Sequence, residues 1–119
     1  MRHLTLATLA AAVAATAAPA FAQQLDELTV YGRSRGGEPK AISETVSFAD
    51  LDLAYAQDRA LLRERIDFAA REVCDRLNEP GPSAANLGRS CQDVAVREAM
   101  GQVRYAVADA RDRVAYNGY

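Results

Sequence analysis

Two neighbouring aspartates, two cysteines and a scatter of arginines and tyrosines are what this 119-residue chain offers for chemistry. Asp50 and Asp52 share a face if their segment is extended, because strand side chains repeat every two residues. Such a pair could hold a hard cation such as calcium, or divide acid and base roles. Calcium takes about 6–8 oxygens, however, and two carboxylates fall short of that. Aspartates also gather at helix N-termini, where the helix dipole favours negative charge, so a capping role is the stronger expectation. Cys74 and Cys91 are too far apart in sequence for a C-x-x-C redox motif. A structural bridge is expected, with a redox pair as the alternative.

What is missing narrows the field further. The single histidine is His3, close to the N-terminus, and Lys40 is the single lysine. No Ser-His-Asp or Cys-His nucleophile system and no histidine zinc site can be built beyond position 3. Two cysteines cannot form a Cys₄ site. No cofactor, metal site or catalytic residue is expected, and the chain is read as a non-enzyme. A carboxylate-only enzyme such as a glycosidase would need a pocket flanked by two acids, which two packed helices leave little room for. Arg59, Arg63, Glu64, Arg65, Asp67 and Arg71 alternate in sign and read as a solvated helix face without a single-sign patch. Tyr105, Tyr116 and Tyr119 lie on or after the last helix, and the Tyr116–Tyr119 tail is a candidate recognition end.

The elements that must position these residues follow from periodicity. Glu27–Tyr31 is a short β-like run, Arg33–Lys40 a polar Gly-rich loop, and Glu44–Phe48 a second β-like run alternating about Val46 and Phe48. The two runs can pair as a β-hairpin, which would have to lie on the helices to be stable. From about Tyr55 the period becomes helical: Leu62, Ile66, Ala69, Ala70, Val73, Cys74 and Leu77 form one face. Pro80-Gly81-Pro82 ends that helix near Asn78. A second helix is expected from Ser90, with Ser90 and Asp93 as a capping box. Its stripe is Val96, Ala99, Met100, Val103, Val107, Ala110 and Val114. Gly101 is expected to mark a close approach of the other helix. The fold expected is therefore α+β and mainly α: an antiparallel helical hairpin stapled by one disulfide, with a short N-terminal β-hairpin. In such a hairpin Cys74 and Cys91 are neighbours at the closed end.

The N-terminus reads as a secretory signal peptide. Met1-Arg2-His3 is positive, Leu4–Ala18 is apolar, and Pro19-Ala20-Phe21-Ala22 carries an A-x-A cleavage site. Cleavage is expected between Ala22 and Gln23, leaving no stable membrane span and a periplasmic or secreted product. Removing 22 residues leaves 97, with 13 basic and 16 acidic residues and a net charge of −3. That charge argues against nucleic acid or an anionic membrane surface as partner. An envelope protein or a small ligand is the partner expected, with a homodimer possible on an exposed hairpin face.

Two resemblances accompany this reading. Val46-Ser47-Phe48-Ala49-Asp50-Leu51-Asp52-Leu53, Arg59-Ala60-Leu61, Arg65-Ile66, Ala69–Cys74 and the later Cys91 together resemble the UrcA family of small secreted bacterial proteins, over roughly Val46–Val114. Asp58 stands where that family usually has Gly, and Ala54 where it commonly has a Ser or Thr cap, so the start of the first helix departs from its pattern. The resemblance implies a fold and a compartment but no activity, cofactor or site residue. It divides the chain into a signal peptide (1–22), an N-terminal segment with the β-like run and loop (23–44) and a UrcA-like domain (45–119). Separately, Leu25–Gly32 is similar to the TonB-box segment that opens mature TonB-dependent receptors, which is recognised by strand addition. Glu27–Tyr31 is thus either a partner-docking strand or, as expected, an ordinary strand of this domain.

Overall fold

Alternating apolar residues build the first layer. In the structure, a computed structural model that describes residues 26–117, strands β1 (Glu27–Arg33) and β2 (Ala41–Ser47) pair antiparallel. Thr29 faces Thr45 and Leu28 faces Val46. Leu28, Val30, Val46 and Phe48 turn inward and are buried. β1 runs two residues beyond the expected run, to Arg33, while β2 starts three residues earlier, at Ala41, and ends at Ser47, one short of Phe48, because Tyr31↔Ser43, Gly32↔Ile42 and Arg33↔Ala41 carry the ladder towards the turn. The expected segment boundary between positions 44 and 45 lies within β2, and Ile42 and Val46 on either side of it pack in one core.

The second layer is a helical hairpin, α1 (Ala56–Arg76) and α2 (Cys91–Asn117). β1 packs on both helices, and β2 packs on α1. Leu62, Ile66 and Val73 of α1 meet Val30 at the centre, all four fully buried. The expected α1 face is the buried face from Leu62 to Cys74. Gly32 is where β1 comes closest to α1: a Cβ there would lie 2.8 Å from Cγ2 of Val73. Gly101 does not have the role expected of it, since a Cβ at that position would meet no neighbouring atom within 4 Å.

Each helix end has a local cause. α1 starts without a side-chain cap on Tyr55. Instead Asp52 Oδ1 accepts the Ala54 N–H, and Asp58 Oδ2 accepts the Asp52 N–H at 2.7 Å. Asp58 thus ties the incoming turn to the first turn of α1, while the helix itself has no side-chain cap. At the other end Asn78 adopts φ 56°, the left-handed conformation that asparagine tolerates. Glu79 N–H then donates to Cys74 O and Asn78 N–H to Asp75 O, the pair of bonds of a Schellman motif. The helix therefore ends at its own cap, ahead of Pro80. Ser90 and Asp93 form the expected capping box of α2, with Ser90 Oγ accepting the Asp93 N–H at 3.0 Å. The α2 stripe holds at Ala99, Val103 and Ala110, and Ala95 joins it. Val114 lies exposed because α2, at 27 residues, overhangs the 21-residue α1.

Candidate functional site

The cysteines lie where the hairpin closes. Cys74 and Cys91 form a disulfide with Cα atoms 5.9 Å apart, and both residues are buried. The bridge joins the last turn of α1 to the first turn of α2.

The aspartates do not make a paired site. Asp50 binds Arg65 through both oxygens, at 2.7 and 2.6 Å. The guanidinium hydrogen-bonded to it holds its carboxyl at about 2, below its ordinary value. The same Arg65 also donates to the Ser47 carbonyl, tying the end of β2 to α1. Asp52, two residues on, is engaged in the turn that starts α1. Among the described residues no group of three metal-ligating side chains comes together.

β1 is a strand of this domain with its outer edge engaged. The side-chain amide of Gln102 on α2 accepts the Thr29 N–H at 3.2 Å and donates to the Thr29 carbonyl at 2.8 Å. A glutamine amide carries the same donor and acceptor as a peptide group, so it pairs with the edge as a strand would. One turn before it, Glu98 pairs with Arg33. Ala22, Gln23, the leader and Tyr119 lie outside the described residues. Tyr105 and Tyr116 are exposed on α2.

The arrangement with most chemical content lies on the other face of the hairpin. Gln102 and Glu98 point to β1. Arg104, Ala108 and Arg111 fall roughly half a turn round α2, at about 100° per residue. There α1 and α2 leave a groove of about 460 Å³. Its floor is Ala60, Met100, Val103, Val107 and Ala108, and its walls carry Arg59, Arg63, Arg104 and Arg111. No carboxylate lines it. Among the described residues none of these four arginines forms an ion pair. Arg59 is held in place by the carbonyls of Leu53 and Ala54, at 3.1 and 3.0 Å. The groove runs on past Arg63 and Met100 into a second hollow of about 380 Å³, where Asp67, Asp93 and Arg97 mix the charges. A larger cleft of about 670 Å³, at the far end of the hairpin, sets Asp26 and Asp52 beside Arg113 and has no dominant sign.

No family model, curated protein or solved structure matches this chain.

The site must accordingly be read from its own residues. The expectation that no single-sign patch forms fails at this groove, because the mixing of signs along α1 does not extend across the groove to α2. Arg59 and Arg63 are one turn apart on α1, and Arg104 and Arg111 are two turns apart on α2. Each pair is legible alone. That they face each other depends on the register set by the Cys74–Cys91 bridge. Chemically, the groove combines an apolar floor with fixed positive charge. It has no nucleophile and no general base among its lining residues.

Proposed function

We propose that this chain is an exported, non-enzymatic binding protein with a UrcA-like fold, acting in the periplasm or outside the cell. Its ligand is an amphiphile with an apolar chain and an anionic head, held in the α1–α2 groove. The reading is carried by one observation: four arginines without ion pairs among the described residues surround an apolar floor that no carboxylate shares. The groove volume, about 460 Å³, lies within the roughly 300–1,000 Å³ common for small-ligand sites. Arginine suits this task, since its planar, permanently charged fork matches carboxylate and phosphate oxygens two at a time. Arginine stems can also lie along an apolar floor while their heads stay in water. The leader, the buried disulfide and the missing catalytic histidine all support an exported binding role.

Titration calorimetry of the chain from Gln23 with monomeric dodecyl phosphate tests the proposal. Dodecyl phosphate is expected to bind, and an uncharged dodecyl glycoside is expected to bind at least tenfold more weakly. The Arg63→Gln, Arg104→Gln double variant is expected to lose at least tenfold in affinity for the phosphate, equivalent to about 1.4 kcal/mol. Rising salt should weaken the interaction, because the charges are solvent-accessible. Equal affinity for the charged and uncharged amphiphiles, or an unaffected double variant, would remove the basis of this reading.

A further inference from the structure

The sheet has a second, unguarded edge. Thr29 gives both its backbone groups to Gln102, so Thr29↔Thr45 is a pair without mutual hydrogen bonds. By the same alternation the N–H and C=O of Ser43, Thr45 and Ser47 point away from β1. Of these outward groups, Ser47 O accepts Arg65. Edge strands are commonly blunted by proline, lysine or a bulge. Between Ala41 and Ser47 the chain has neither residue, and the ladder runs without interruption. Beside this edge α1 exposes Leu61 and Phe68, 46% and 58% accessible, seven residues apart on one helix face. Together with Thr45, Val46, Glu64 and Arg65 they line a hollow of about 380 Å³.

We infer that β2 pairs edge to edge with β2 of a second copy, antiparallel and centred on Thr45, giving a four-stranded sheet across a two-fold axis. The patch is self-complementary in two respects. Thr45 lies at a hollow flanked by both Leu61 and Phe68, so a two-fold there brings the two apolar pairs together. In this register Glu44 of one copy stands opposite Val46 of the other, whereas a register centred on Glu44 would oppose two carboxylates. Ser43 and Ser47 then exchange bonds across the axis, and the second lone pair of the Ser47 carbonyl leaves its bond from Arg65 intact. A two-fold contact of this type uses the same surface on both partners.

Cysteine crosslinking and mass measurement on the chain from Gln23 decide the matter. Directly opposed, hydrogen-bonded antiparallel residues have Cα atoms about 5.5 Å apart, within disulfide reach. Thr45→Cys is therefore expected to form a covalent dimer on mild oxidation, while Ala41→Cys, far from the axis, is not. Light scattering should give a doubled mass for the unaltered protein and the single mass for Thr45→Pro, which removes an outward N–H that β1 does not use. If Thr45→Pro does not fold, Phe68→Asp replaces it with the same expected result. A single mass for the unaltered protein at about 100 µM would overturn the inference. So would equal crosslinking at positions 41 and 45, or a folded Thr45→Pro chain that keeps the doubled mass.

Discussion

Asp50 illustrates how one partner decides what a residue does. Alone in the sequence it pairs naturally with Asp52 as a possible cation site. In the fold it faces Arg65, fifteen residues on, and the spacing of a single helix offers no sign of that contact. The guanidinium lowers its carboxyl from 3.8 to about 2. A carboxylate whose folded pKa is depressed stabilises the fold while ionised. Its contribution is complete above about pH 4 and is lost as pH falls towards 2. The expected outcome is that Asp50→Asn unfolds at lower urea than the unaltered chain at about pH 5, and that the two midpoints converge at about pH 2. A gap that persists at pH 2 would mean that Asp50 acts through shape and not charge. Asp58 is the complementary case. It departs from the resembled family's pattern, and in the fold it accepts the Asp52 N–H and so anchors the turn that leads into α1.

At the scale of elements, α1 was the most legible part of the chain. Its apolar period is long and unbroken, and every residue from Leu62 to Cys74 expected on the buried face lies there. The strands are legible by their alternation but not in their extent. Gly32 and Ile42 fall outside both alternating runs and the loop, and only their pairing across the hairpin makes them strand residues. The two glycines mislead in opposite ways, because a missing side chain reveals nothing of what approaches it. A Cβ on Gly32 would run into Val73, whereas one on Gly101 would meet no neighbour within 4 Å. The disulfide was readable because two helices joined by a Pro/Gly turn leave few places for residues 74 and 91. Its bridge spans a sequence separation of 17. Closing a loop of that size restricts the unfolded chain by about 3 kcal/mol. The Cys74→Ala, Cys91→Ala variant is expected to lose that amount in urea unfolding. It should keep its helical circular dichroism at low temperature, since the Schellman turn and the Ser90–Asp93 box remain. A loss below about 1 kcal/mol would show that those caps hold the hairpin closed unaided.

The whole molecule has two unlike faces. One face of the helical hairpin is covered by the sheet. The other is open and carries the arginine groove, whose walls come from residues some forty positions apart. Composition could not disclose it, because a chain with net charge −2 overall can still gather positive charge locally. No described helix is long and apolar enough to cross a membrane. For the chain as the cell makes it, the expected intact mass from its own envelope fraction is that of a product beginning at Gln23, two hydrogens light. A mass that retains Met1 would remove the case for export, and one without the two-hydrogen deficit would place the cysteines in their reduced form.

The Gln102 amide has a further consequence when chains meet. In the language of polymer chemistry, a unit needs two reactive ends to propagate. A bare two-stranded sheet has two such ends, and its copies could stack strand upon strand without limit. Here α2 has end-capped one of them, so each copy is monovalent. Association through the open β2 edge then terminates at two copies, because α2 occupies the other edge, with Gln102 on Thr29 and Glu98 on Arg33.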